Sequence, residues 1–121
     1  MNCQIRSADR ELYSGQARMI VARSARGEFA VMDNHAPLLA SLSQGVLRVA
    51  TSEKDIAFAC FGGTLQVDEH RDVTVLVDAV PVGEINPEDI RAQLETLEDA
   101  PSSDRLRERL TFLQHVREDH G

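Results

Sequence analysis

Tryptophan is missing from this 121-residue chain, tyrosine occurs once and phenylalanine four times, so any core has to be filled with little aromatic volume. Two cysteines, Cys3 and Cys60, are too few for a secretory disulfide framework and sit at no metal-ligand spacing. Both are expected to be reduced and to act as small hydrophobes, and no metal site is expected. No apolar run approaches the ~20 residues needed to span a bilayer, and Met1–Arg6 lacks the apolar stretch of a signal peptide. A soluble, cytosolic chain is expected, able to sit beside a membrane only through a partner. Basic residues are outnumbered thirteen to twenty, giving a net charge of −7. Nucleic acid is thereby excluded as an expected partner, because phosphate binding requires cationic charge to displace counterions.

The length suits one domain with a small appendage, and the first eighty residues read as all-β. Cys3–Ile5 and Glu11–Tyr13 are short strand candidates around a Ser7–Arg10 turn, and Ser14-Gly15 reads as the next reversal. Strands follow at Gln16–Arg23, Phe29–Met32 and Leu38–Leu42, with Pro37 tolerable at a strand start. Val46–Ala50 and Ile56–Phe61 flank a polar connection and form a hairpin. Gly62-Gly63 then reads as a bulge or a close backbone approach, since no helix and no Lys-Ser/Thr follows to make a phosphate loop. Thr64–Val67, the turn Asp68–Asp72 and Val73–Val77 complete about nine short strands, which argue for an antiparallel sandwich or barrel.

Beyond Pro81 the pattern becomes helical. Asn86 is a cap, Pro87 fits the first helical position, and Glu88 and Asp89 complement the positive end of the helix dipole. Ile90, Leu94 and Leu97 then share one face. Ala100–Ser103 breaks the helix, and Leu106, Leu110, Leu113 and Val116 repeat the spacing. Two helices of roughly four turns are expected to pair as an antiparallel hairpin, with Arg91, Glu95, Arg105, Arg107, Glu108, Arg109 and Arg117 on a solvated face. The domains expected are a β-sandwich over residues 1–83 and a two-helix hairpin over 84–121.

The stretch Gly27–Leu39 concentrates the polar chemistry: a short strand, the turn Met32-Asp33-Asn34-His35, and a second apolar run. Asn34 is suited to the left-handed conformation. His35 lies near Glu28 and Asp33, but no Ser-His-acid or His-His-acid spacing accompanies it. A structural or interface histidine is the plainer reading, with a small hydrolase built on His35 as the remote one. His70, His115 and His120 have no ligand-like companions and read as surface residues.

Gly27-Glu28 followed by His35-Ala36-Pro37-Leu38-Leu39, and Gly62-Gly63 followed by Val73-Thr74-Val75-Leu76, resemble, in order and spacing, motifs of the epsilon subunit of F-type ATP synthases. The resemblance covers nearly the whole chain. It departs at Ala30 for Gly, at Asp33-Asn34 for Pro-Gly, and at Thr64 for an aromatic residue whose core contact a neighbour is expected to fill. The Asp-Asn turn is expected to keep its shape and lose some rigidity. The resemblance implies a non-catalytic, rotating central-stalk subunit of a proton-translocating synthase. Its partners would be the γ subunit, the c-ring, and the α and β subunits, at the cytoplasmic face of a bacterial plasma membrane. It also implies that Glu28, Asp33, Asn34 and His35 meet the c-ring, and that the hairpin can hinder ATP hydrolysis. Pro87–Ala92 partly matches a motif by which some bacterial relatives bind ATP, which makes Glu88 and Arg91 candidate ligands for regulatory ATP. The rival reading is a free-standing, nucleotide-sensing β-sandwich with a helical lid.

Overall fold

A computed structural model of the chain describes residues 1–97 and 104–120. The chain divides into two compact units, Met1–Pro81 and Val82–Gly121.

The first unit contains eight strands: β1 (Asn2–Arg6), β2 (Glu11–Gln16), β3 (Met19–Ser24), β4 (Gly27–Met32), β5 (Leu38–Leu42), β6 (Gly45–Ala50), β7 (Asp55–Val67) and β8 (Val73–Pro81). They join in the order β2-β1-β8-β7-β6-β3-β4, with β5 added to β7. Strand β7 is the spine. Its first half pairs with β6, its second half with β5, and nearly its whole length with β8. Alternating residues turn inward from the strands to make one aliphatic core that includes Ile5, Ile20, Val31, Leu47, Val49, Phe58, Leu65, Val73 and Val75. Burial of such side chains, at roughly 1.5–3 kcal/mol each, is the main term stabilising the unit. Cys3 and Cys60 belong to this core as free thiols.

Several local expectations need correction. Ser14-Gly15 does not reverse the chain: β2 runs through it to Gln16, and Gly15 is extended and paired with Cys3. Eight strands replace nine because Gly62-Gly63 bends β7 without ending it. The register with β8 shifts between Cys60 and Gly62, and pairing resumes at once. The sheet is mixed, since β1 lies parallel to β8 with Cys3 opposite Val73 and Arg6 opposite Leu76. Thr64 is exposed and pairs with Ser41 and Leu76, so it points away from the core and leaves no aromatic gap to fill.

The second unit holds a short 3-10 turn (Val82–Glu84), α1 (Pro87–Leu97) and α2 (Asp104–His120). The Asn86 side-chain oxygen accepts from the backbone N–H of Glu88 at 3.0 Å and of Asp89 at 3.4 Å. This cap contributes about 1 kcal/mol to starting α1. Pro87 sits at the first helical position, where its missing donor costs nothing. Ile90, Leu97, Leu110 and Val116 are buried and Leu94 and Leu113 half-buried, whereas Leu106 is 45% exposed and leaves the expected seam. The described part of α1 has 11 residues, about three turns. The break expected at Ala100–Ser103 lies outside the described residues.

Two arginines assigned to a solvated face bond to backbone instead. Arg107 Nη2 donates to the Leu97 carbonyl at 2.6 Å, and Arg117 Nε donates to the Ile85 carbonyl at 3.3 Å. An early residue of α2 thus meets the end of α1, and a late residue meets the segment before it. That pattern is the antiparallel hairpin.

Candidate functional site

The polar stretch of the first unit is built on the open side of β4 and the start of β5. Strand β4 pairs with β3 alone, placing Glu28 opposite Arg23 and Met32 opposite Met19. Alternation buries Val31 and exposes Glu28, Ala30 and Met32. The extra methyl of Ala30 therefore meets solvent and is harmless. At Met32 the chain reverses: the His35 N–H donates to the Met32 carbonyl at 3.1 Å, and Asn34 adopts φ 66°, the left-handed conformation its sequence position called for.

Asp33, Asn34 and His35 are brought together in this one turn, and Glu28 stands further back on the strand. The Asp33 carboxylate accepts from the Met1 ammonium at 2.7 Å. Glu28 pairs with Arg48 Nη2 at 3.4 Å, an exposed contact worth at most about 1 kcal/mol. His35 Nδ1 lies 2.7 Å from the Ala36 carbonyl. Because a carbonyl only accepts, Nδ1 is the donor of this bond. Both nearby carboxylates are thus engaged with cations, and the imidazole bonds to backbone. The arrangement holds a loop in place and forms no nucleophile–base pair.

Glu28 and His35 also line a groove of about 560 Å³ whose walls are residues 24–30 and 38–41. Two large apolar side chains flank the turn in the open, Met32 at 56% and Leu39 at 74% exposure. Leu39 is turned out by β5 alternation, which sends Leu42 into the core. Among the described residues no cluster of His, Cys, Asp and Glu could hold a metal ion.

A residue that sequence reading missed completes the turn. Arg71, in the β7–β8 connection, donates from Nη1 to the Asn34 carbonyl and, at 3.2 Å, to the His35 carbonyl. Nothing in its local sequence announces this. The Asp68–Asp72 segment shows ordinary turn chemistry, and its reach over 37 positions is set by tertiary structure.

Glu88 and Arg91 lie in the second unit, exposed and three positions apart on α1. Their spacing places them on one face, where a carboxylate and a guanidinium could both reach one ligand. The described residues bring no further cationic side chain to them through a hydrogen bond or ion pair.

The family model for the ATP synthase, Delta/Epsilon chain, beta-sandwich domain matches residues 1–82. The chain is 30% identical over 92 residues to the chloroplastic ATP synthase epsilon chain of Adiantum capillus-veneris, covering 76% of this chain and 70% of that one. It is 34% identical over 100 residues to the epsilon chain of Brevibacillus brevis, covering 81% and 75%. It is 41% identical over 80 residues to that of Halorhodospira halophila, covering 64% and 56%. Its fold is similar to a chain in the cryo-EM structure of the Tetrahymena thermophila mitochondrial ATP synthase central stalk and c-ring, with a TM-score of 0.67 at 13% identity over 96% of this chain and 95% of that one. A chain of the Euglena gracilis mitochondrial ATP synthase gives 0.68 at 22% identity, covering 96% and 76%. The matching sandwich, its glycine-bent spine and its His-Ala-Pro-Leu-Leu stretch lead to one conclusion: the chain belongs to the ATP synthase delta/epsilon chain family.

Proposed function

We propose that the chain is a non-catalytic central-stalk subunit of a proton-translocating F-type ATP synthase. In this reading it joins the γ subunit to the c-ring, below the α and β subunits, and is peripheral at the cytoplasmic face of a bacterial plasma membrane. The observation that carries this reading is the family-matched sandwich presenting a fixed, polar, solvent-facing turn. Glu28, Asp33, Asn34 and His35 are the residues assigned to c-ring contact. An exposed carboxylate on a pre-ordered turn, with a second on the strand behind it, suits a contact that must form and hold under rotation, because such a loop loses little entropy on docking.

The test is reconstitution into a synthase stripped of its own epsilon chain. The full chain should bind the γ subunit and restore coupling of ATP hydrolysis to proton pumping. Glu28→Arg, which loses the Arg48 pair and sets a like charge opposite Arg23, should cost about 1–2 kcal/mol of stability and weaken binding to the c-ring-containing stalk about threefold to tenfold. A folded chain that neither binds γ nor restores coupling overturns the reading. In the same series, isothermal titration of ATP into the full chain tests Glu88 and Arg91. Micromolar binding that Arg91→Ala abolishes would make ATP a regulatory ligand of the hairpin, and silence would remove those two residues from the site.

A further inference from the structure

We propose that Arg71 is the positioning residue of the partner-facing turn, fixing residues 32–35 in the conformation the stalk contact uses. The inference rests on the assignment of that turn to partner contact made above.

The turn's own bonds are few: the His35 N–H to the Met32 carbonyl, and the His35 ring to the neighbouring Ala36 carbonyl. Both span three residues or fewer, and the longer tie from the Met1 ammonium to the Asp33 carboxylate at 2.7 Å holds a side chain and leaves the peptides of the turn free to rotate. Asp33-Asn34 also contains no proline ring to lock φ, so local chemistry leaves the loop free to explore other turn types. The carbonyls of Asn34 and His35 belong to the two consecutive peptides that follow the left-handed residue, and their directions set how the chain leaves the turn toward β5. One guanidinium nitrogen engages both. Loss of the left-handed conformation at Asn34 would swing the Asn34 carbonyl away from it.

Arg71 is itself held for the purpose. It has φ 67°, a left-handed conformation unfavourable for a side chain of its size. The cost is sustained by a wrapped turn. The Asp68 carboxylate accepts from the N–H groups of His70 at 2.8 Å and Asp72 at 3.0 Å. The Arg71 N–H donates to the Asp68 carbonyl and the Asp68 N–H to the Asp72 carbonyl, both at 3.0 Å. A residue held in a strained conformation by a network this complete, and spending its side chain on a distant loop, points to a positioning role. It also explains how the turn keeps its shape without the Pro-Gly pair.

Arg71→Gly provides the separating variant, because it deletes the guanidinium while relieving the backbone cost. In the full chain, the melting temperature and the sheet amide resonances should stay at wild-type values. Hydrogen exchange at the His35 amide should accelerate about tenfold, and affinity for the reconstituted γ–c-ring stalk should fall about fivefold to tenfold. Arg71→Lys, a point donor without the planar fork, should recover only part of the loss. Unchanged exchange and resonances at residues 33–36 in Arg71→Gly would overturn the positioning role. A loosened turn with undiminished stalk affinity would overturn its link to partner contact. Failure of the wild-type chain to bind the stalk would instead strike the functional reading, and the exchange measurement would still decide whether Arg71 sets the turn.

Discussion

Gly63→Ala should destabilise the sandwich by at least about 3 kcal/mol, at the upper end for overpacking by a single methyl group. Gly63 lies opposite Val77, just past the point where the β7 register slips. A Cβ there would fall 2.1 Å from the Leu76 carbonyl oxygen and 2.8 Å from Val77 Cα. Both are backbone atoms, so no rotamer change relieves the clash and β8 itself has to move. Yet β8 is pinned on its other side by β1 and carries Val73, Val75 and Val77 into the core. Gly62 is the internal control: its Cβ would meet the Leu42 carbonyl oxygen at 3.5 Å, an ordinary contact, although its φ of 146° also favours glycine. Gly62→Ala should therefore cost less, about 1–2 kcal/mol. Urea unfolding followed by Tyr13 fluorescence reports this unit alone, since Tyr13 is the one tyrosine and the chain has no tryptophan. A Gly63→Ala penalty no larger than that of Gly62→Ala would mean that β8 yields readily and the close approach is not a constraint.

Alkaline pH should unfold the sandwich through Cys3. Its thiol is pushed up from 9.0 to about 12, chiefly because burial disfavours the thiolate, with the nearby terminal ammonium acting weakly in the opposite sense. A thiol whose folded pKa is raised keeps its proton in the folded state while the unfolded chain loses it. The stabilisation is therefore fully present below pH 9 and is lost progressively as pH rises toward 12, at about 1.4 kcal/mol per unit and about 4 kcal/mol in all. Cys60 is raised by burial as well and adds to the same trend. The measurement is urea stability by circular dichroism near pH 8 and about pH 10.5, in wild type and in Cys3→Ala. The difference between the two slopes isolates Cys3 from every other alkaline titration. Equal slopes would show that the buried thiol is not what fails.

Legibility followed the range of the interactions. The β6–β7 hairpin and the β5 run were readable because alternation of apolar residues is a local signal, and Asn86-Pro87 announced α1 because capping acts within one turn. Ser14-Gly15 misled because glycine is equally at home in a turn and in an extended edge strand, and only pairing with Cys3 decides which. The parallel contact of β1 with β8 had no signature, since neither strand encodes its partner. Leu106 fits a helical stripe and is exposed all the same, while Arg107 and Arg117 read as solvated charges because their backbone carbonyl partners do not show in a side-chain pattern. Within the site, the left-handed Asn34 was legible from residue type. The guanidinium that holds it was not, because the two lie 37 positions apart.

The same parallel pairing dictates an order of events during synthesis. The Asn2 side chain meets Asp72 across 70 positions, and β1 finds its second neighbour only when β8 is available. Closing a loop of that size costs more entropy than forming any of the neighbouring hairpins. As the chain leaves the ribosome, β3, β4, β6 and β7 can pair in turn, while β1 holds only β2 and keeps one edge bare. Strand β1, made before the other seven of its sheet, is thus among the last to be enclosed, and until β8 arrives its open edge is exposed to pairing with other strands.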